Sequence, residues 1–569
     1  MRLTSFESES DKPVTAAGRR TFLKVGAGAA AAVSAPNIAP QTVLPSSPPT
    51  APWIQPLPVQ TPLQPVPAEL FTPVPYPTPG EDECGRSEHP SWAGYEPQEL
   101  YQIEVKRGWH SFHPHLPDAE IWSYGGTFPG PLIHARYGRP ILVRFWNNLP
   151  KYAHGYGSPD ITVHLHNLHT PSESDGYPTD WWSRYAYGPT MTRPGQYKDH
   201  HYPMVCAGVD TFGKWGDPRE AIGTMWYHDH REHFTASNVY RGMAGFFIAF
   251  DKFDSGNEHD YSDTALRLPS GEFDVPLLVH DKQFDSSGYL RFNQFDSDGF
   301  IGDKQLVNGK IQPYFHVAPR KYRFRILNGA VSRVFDLQMR YQNRVQAVHQ
   351  IANDGCLLPN PVVRSNLLIA PAERADIVID FSRFPVGSEV YLVNRVAMLD
   401  GRKPEEGFLP NPVQLLKFIV DKPLYRPDTS RVPYTLREQP APDPREVEKT
   451  RTFVFGRENG AWAVNDKLFE NKKVANPKRG TAEIWNLVND SGGWAHPIHI
   501  HFEQGHILRR NGVLPPPWER GRKDTYYLGP NERVSVFLRF RDFPGKYVMH
   551  CHNLIHEDHG MMVRYDIED

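Results

Sequence analysis

The sequence predicts an all-β protein built from three β-sandwich domains, and three observations predict it. Apolar residues alternate with polar ones: in RVSVFLRF, Val534, Val536, Leu538 and Phe540 share one face while Ser535, Phe537 and Arg539 take the other. No long heptad or 3.6-period stretch competes, and glycine and proline punctuate many short apolar runs, as turns between strands require. Three stretches echo one another at domain-sized intervals, GGTFPGPLIHARYGRPILVRFWNNLP (Gly125–Pro150), VNGKIQPYFHVAPRKYRFRILN (Val307–Asn328) and VNDKLFENKKVANPKRGTAEIWNLVN (Val464–Asn489). Each reads as a turn, an extended segment, a Gly- or Pro-containing bend and an alternating strand ending in asparagine, so one fold is used three times.

A chain of 569 residues with 39% hydrophobic content has room for three such domains. Its net charge of −3 gives no case for nucleic acid or an acidic membrane surface as a partner. At the N-terminus, Arg19-Arg20-Thr21-Phe22-Leu23-Lys24 precedes a weakly apolar Ala/Gly-rich run, Val25 to Val33, ending near Ser34-Ala35-Pro36. This resembles a bacterial twin-arginine export signal, with Gly18 where Ser or Thr is commoner. The run is too short to span a bilayer, and no cysteine follows the cleavage point to carry a lipid. Residues 1–36 are therefore expected to engage the twin-arginine export machinery, giving a periplasmic or extracellular protein without a membrane anchor in its mature form. Residues 37–94 are dense in proline, which favours extended conformations and excludes sheet interiors, so this segment is expected to be a strap.

Four histidine motifs follow. HLH (His164, His166) and WYHDH (His228, His230) each place two imidazoles on one strand face, as do His499 and His501 of HPIHIH, while His496 can turn the other way. In the final motif, HCHNLIHEDHGMM, Cys551 points to one side of a strand while His550 and His552 point to the other. One segment can thus serve two metal sites. Cys551, His556, Met561 and His496 make two imidazoles, a thiolate and a thioether, the ligand set of a blue-copper electron-transfer site. The remaining eight imidazoles exceed what one ion can hold and imply a cluster of three. Zinc is the chief alternative metal, but it is redox-inert and leaves the covalent link between the two sites without a purpose.

The four motifs, HxH, HxH, HPxHxH and HCHxxxHxxxxM, resemble those of the multicopper oxidases in order and internal spacing, over roughly Tyr101 to the C-terminus. The resemblance implies three cupredoxin-like Greek-key domains at 95–255, 256–430 and 431–569, a proline-rich lead wrapping the enzyme, and a middle domain without copper. It implies four copper ions: a type 1 ion on His496, Cys551, His556 and Met561; a type 2 ion on His164 and His499; and two type 3 ions, on His166, His228, His552 and on His230, His501, His550. It also implies dioxygen as the oxidant, reduced to water by four electrons taken singly from a small aromatic reductant at the edge of His496. Protons for that reduction need nearby carboxyl groups, and Asp175, eleven residues after His164, and Glu557, directly after His556, match the family's acids. His169, His233, His506 and His559 lie off the pattern and read as ordinary hydrogen-bonded imidazoles.

Segments such as HLHNLHTPSESDGYP and GGWAHPIHIHFEQGHILRRNG look most like the branch of bacterial spore-coat laccase, phenoxazinone synthase and bilirubin oxidase. Asn167 departs from that branch, where HLHG is usual. Phenols, aminophenols and bilirubin-like pigments all remain open as reductants. A metal-ion oxidase acting on Mn(II) or Cu(I) is the alternative, weakened for Cu(I) because the 10 methionines form no Met-rich insert near the third or fourth motif. A ligand-free structural scaffold of the same fold is disfavoured because all twelve ligand positions are filled. A monomer is expected. Outside the cytoplasm, one disulfide among Cys84, Cys206 and Cys356 is permitted but not required.

Overall fold

The computed structural model describes residues 46–569; the expected signal, residues 1–36, and the start of the strap lie outside them. Strand accounts for 40% and helix for 8%, the outcome that period-two patterning requires. Six sheets pair into three sandwiches. In the first, Ile103, Val143 and Phe145 from the sheet of Glu99–His110 and Ile141–Asn147 meet Val163 and Tyr227 from the sheet of Val163–Leu165 and Thr224–Asp229. In the third, Trp485, Val536 and Leu538 meet Ile498, Met549 and Cys551 across the core. No strand occupies 251–273 or 421–446, the two connections between sandwiches.

The three echoing stretches follow one path. Glu99–His110 runs parallel to Ile141–Asn147, Asp274–Phe284 to Lys321–Asn328, and Val447–Glu458 to Thr481–Asn489. The asparagine that closes each repeat has one physical job. Asn147, Asn328 and Asn489 each accept on Oδ1 the N–H two residues on, at 3.0–3.1 Å, and donate through Nδ2 to carbonyls of separate loops. A short amide side chain thereby takes over backbone hydrogen bonds where the ladder stops.

The proline-rich lead binds along edges, as its missing N–H groups dictate. Leu57 donates to Tyr314 of the middle sandwich and Leu63 to Leu132 of the first, while buried Gln55 donates through Nε2 to Phe112 and Ile311 of both. Charge also fixes how the sandwiches dock. Buried Glu220 of the first meets Arg522 and Arg541 of the third. Burial alone would raise the Glu220 pKa, but the two guanidiniums outweigh it and hold the carboxyl well below its usual range. Removing one partner of such a pair costs about 3–5 kcal/mol, so the arrangement resists slippage. Cys84, Cys206, Cys356 and Cys551 are all buried and unpaired, so the permitted disulfide does not form.

Candidate metal centres at the interface of the first and third sandwiches

Strand register assembles the histidines. His164 lies opposite His228 in the first sandwich, and His499 opposite His550 in the third. Docking then brings the eight rings together, each at most 1% exposed. The Nε2 atoms of His166 and His228 are 3.0 Å apart and those of His166 and His552 3.3 Å. Those of His230, His501 and His550 are 3.1–3.3 Å apart, and those of His164 and His499 are 3.2 Å apart. The groups fall into the two threes and one pair expected from the sequence.

Five of the eight rings have an acceptor at Nδ1. His164, His228 and His499 each have Nδ1 on a backbone carbonyl, of Asp175, Asp229 and Asp524, at 2.5–2.9 Å. His501 has Nδ1 on Asp175 Oδ2 at 2.8 Å, and His550 on Glu557 Oε2 at 2.9 Å. An acceptor at Nδ1 places the proton there and leaves the Nε2 lone pair bare. Lone pairs aimed at lone pairs call for a cation between them. Imidazole nitrogens bound about 2.0 Å from one ion lie about 3.3 Å apart at tetrahedral angles, close to the spacings here. Burial, reinforced by neighbouring imidazoles, drives His164, His166, His499, His501 and His552 well below the usual histidine pKa, so these rings are in the neutral, metal-binding form.

The second centre lies on the other face of the same strand. His496 Nδ1 is 3.3 Å from Cys551 Sγ and 3.1 Å from His556 Nδ1, which is 3.6 Å from the sulfur. Here Nδ1 faces inward and Nε2 outward, His496 to Ser491 Oγ at 2.9 Å and His556 to the Asp298 carbonyl at 3.2 Å. Burial pushes the Cys551 thiol well up, so its thiolate needs a cation beside it. Met561 is fully buried in the same core as Cys551, and its carbonyl accepts the Cys551 N–H at 3.0 Å. Met562 packs elsewhere, with Tyr177 and Val548. We therefore expect Met561→Leu, a swap of nearly equal volume, to keep a blue centre while raising its reduction potential, and Met562→Leu to leave the potential alone. Redox titration of both variants checks this; a shift confined to Met562→Leu reverses the assignment.

Both acids reach the cluster. Asp175 is 2% exposed and Glu557 3%, so neither is a solvent-facing carboxylate. Burial raises Asp175 well above the usual carboxylate range. Glu557 goes the other way: burial opposes it, but His550 and His230, the latter 3.2 Å away, hold it well below that range. The two carboxyl groups at the cluster are thus pushed in opposite directions.

One expectation changes. His496 presents no edge to solvent: it is 0% exposed, capped by Ser491 and packed against Trp462. The half-buried Trp494, two residues before it, stands outermost, with its indole N–H on the Asp298 carboxylate at 3.1 Å. Asn167, the departure from the usual motif, adjoins the ligand His166 and also spans the interface. It takes a left-handed φ of 49°, which asparagine tolerates, and its Nδ2 donates across the interface to Ile500 and Glu503. Of the off-pattern histidines, His169 binds Asp542 at 2.7 Å, an ordinary ion-pairing contact. Asp524, beside His499 and His166, had no signal in the sequence.

Three β-sandwiches carrying a buried Cys/His centre joined by one strand to an eight-histidine cluster define a metal-dependent redox protein. Comparison with known proteins gives the family. Multicopper oxidase sequence profiles match residues 101–190 and 441–569. The chain is 36% identical over 478 residues to bilirubin oxidase of Albifimbria verrucaria, covering 82% of this chain and 76% of that one. It is 33% identical over 520 residues to a laccase of Bacillus subtilis, covering 82% and 94%. Among solved structures it resembles the McoA multicopper oxidase of Aquifex aeolicus, with a TM-score of 0.68 and 27% identity over 83% of this chain and 97% of that one. The chain belongs to the multicopper oxidase family and is an oxidase that uses oxygen. The family implies copper, and the histidine clusters fit copper sites.

Proposed function

We propose that the chain carries four copper ions, one on His496, Cys551, His556 and Met561 and three among the eight histidines, and that it oxidises a small aromatic reductant while dioxygen becomes water. When bound, copper supplies the one-electron couple and the seat at which dioxygen takes up electrons. The chain supplies the connection: Cys551 is bonded through the backbone to His550 and His552, which belong to the cluster. That shared strand is the observation that carries the reading. Asp175 stands 2.8 Å from His501 Nδ1, and Glu557 2.9 and 3.2 Å from Nδ1 of His550 and His230, on the side of each ring away from the Nε2 atoms that face the cluster.

The cover of His496 supports a phenolic, aminophenolic or bilirubin-like reductant over Mn(II) or Cu(I). The aromatic rings of Trp462 and Trp494 lie over this centre, and the π-system of Trp494 is held by the guanidiniums of Arg402 and Arg457, 4.7 and 4.3 Å from its ring centroid. The Asp298 carboxylate beside it is already shared by those two arginines and the indole N–H, so it is a poor seat for a free metal ion. Oxygen uptake by copper-loaded protein against phenols, aminophenols, bilirubin, Mn(II) and Cu(I) tests this. We expect turnover of the aromatics; turnover of a metal ion alone contradicts it. We also propose twin-arginine export, and an Arg19→Lys, Arg20→Lys variant that still leaves the cytoplasm would refute that.

A further inference from the structure

The middle sandwich contributes no ligand, yet one of its side chains reaches the wall of the cluster. Arg374 opens the strand Arg374–Asp380 and is 1% exposed. Its guanidinium is held by acceptors from all three sandwiches. Nη1 and Nη2 donate to Asp524 Oδ1 and Oδ2 at 2.7 and 2.6 Å, in the third. Nε donates to the Thr224 carbonyl at 3.3 Å, in the first. The remaining two N–H groups go to the carbonyls of Ala372 at 3.2 Å and Asp354 at 2.9 Å, in the middle one. All five donors of the planar fork are used, a pattern that lysine cannot reproduce.

Both outer partners belong to segments that deliver ligands. Thr224 begins the strand Thr224–Asp229, which carries His228. The Asp524 carbonyl accepts the His499 Nδ1–H at 2.9 Å, and its carboxylate Oδ1 lies 3.6 Å from that nitrogen and 3.9 Å from His166 Nδ1. His166 Nδ1 has no hydrogen-bond partner, so the Asp524 carboxylate is the acceptor standing nearest to it among the ion-pairing contacts. Groups that receive the outer N–H of a metal-bound imidazole orient the ring, and their loss typically weakens metal binding.

We propose that Arg374 is a positioning residue for the copper cluster, acting through Asp524 on His499 and His166 and through Thr224 on the strand of His228. The middle sandwich then does more than join its neighbours: it sets the separation of the ligand strands to the length of one guanidinium fork. The proposal rests on the copper assignment above, and it leaves the Cys551 centre untouched, because Arg374 makes no contact with His496, Cys551 or His556.

The test is Arg374→Lys in full-length, copper-loaded protein, with copper per chain, visible absorption and the paramagnetic resonance of the non-blue copper as readouts. We expect the blue absorption to remain near wild type, the non-blue resonance to change, and cluster copper affinity to fall about 10- to 100-fold. Asp524→Asn, which preserves shape, should change the same resonance and serves if Arg374→Lys does not fold. Arg320→Lys is the control: Arg320 is a buried middle-domain arginine, paired with Glu258 and Asp428 and with neither Asp524 nor Thr224. Full copper with an unaltered resonance in Arg374→Lys overturns the proposal. So does the same loss in Arg320→Lys, or blue and non-blue copper falling together, since either marks general destabilisation. If wild-type protein itself holds no cluster copper, the copper assignment fails instead.

Discussion

Cys551→Ser should abolish both the blue colour and the oxidase activity. The sulfur sits 3.3 and 3.6 Å from the two inward Nδ1 atoms, and its residue is the shortest covalent route from that centre to His550 and His552. Serine keeps the shape but replaces a polarisable thiolate by a hydroxyl of high pKa, so the intense sulfur-to-Cu(II) absorption and the electron path disappear together. The buried hydroxyl costs about 1–3 kcal/mol if unpaired, too little to unfold a protein of this size. His164→Ala is the complement. It removes one Nε2 ligand atom, contributed to the cluster by the first sandwich and out of reach of the Cys551 centre, so colour should survive while dioxygen reduction fails. Absorption spectra and oxygen uptake of both variants check this. A blue, active Cys551→Ser protein removes the assignment.

Asp175→Asn should slow dioxygen reduction by as much as ~10²–10⁴-fold, the usual scale for a positioned acid or base, with copper content unchanged. An amide oxygen at the same place still accepts the His501 Nδ1–H, and the Asp175 carbonyl on His164 is untouched. What is lost is a proton source. Burial keeps the native carboxyl protonated to higher pH than an ordinary aspartate, so without it protons must come from solvent and the rate should fall more steeply as pH rises. Single-turnover reoxidation across a pH series measures this, and an unchanged rate at every pH removes Asp175 from proton delivery.

The parts of the site that were legible in the sequence are local. Two-residue spacing sets which way a side chain leaves a strand, so His164 with His166, and Cys551 against His550 and His552, were readable from parity alone. The repeated asparagines were visible for the same reason, since each bonds within its own turn. Asp175 and Glu557 needed the family resemblance, because a carboxylate carries no spacing signature of its own. Asp524 and Asp298 were not visible: the first is tied to Arg374 across 150 residues and the second to Trp494 across 196. The burial of His496 was missed because the ring packed on it, Trp462, comes from another strand of the same sandwich, Ala461–Val464.

The central claim is that one segment, the strand Gly545–Cys551 and the His552 that follows it, serves two copper centres at once. Copper analysis of purified wild-type protein, read beside its visible spectrum, tests this most directly. The account predicts about four coppers per chain and intense blue absorption from a Cys-bound Cu(II); a colourless protein holding a single ion, or zinc in copper's place, would contradict it.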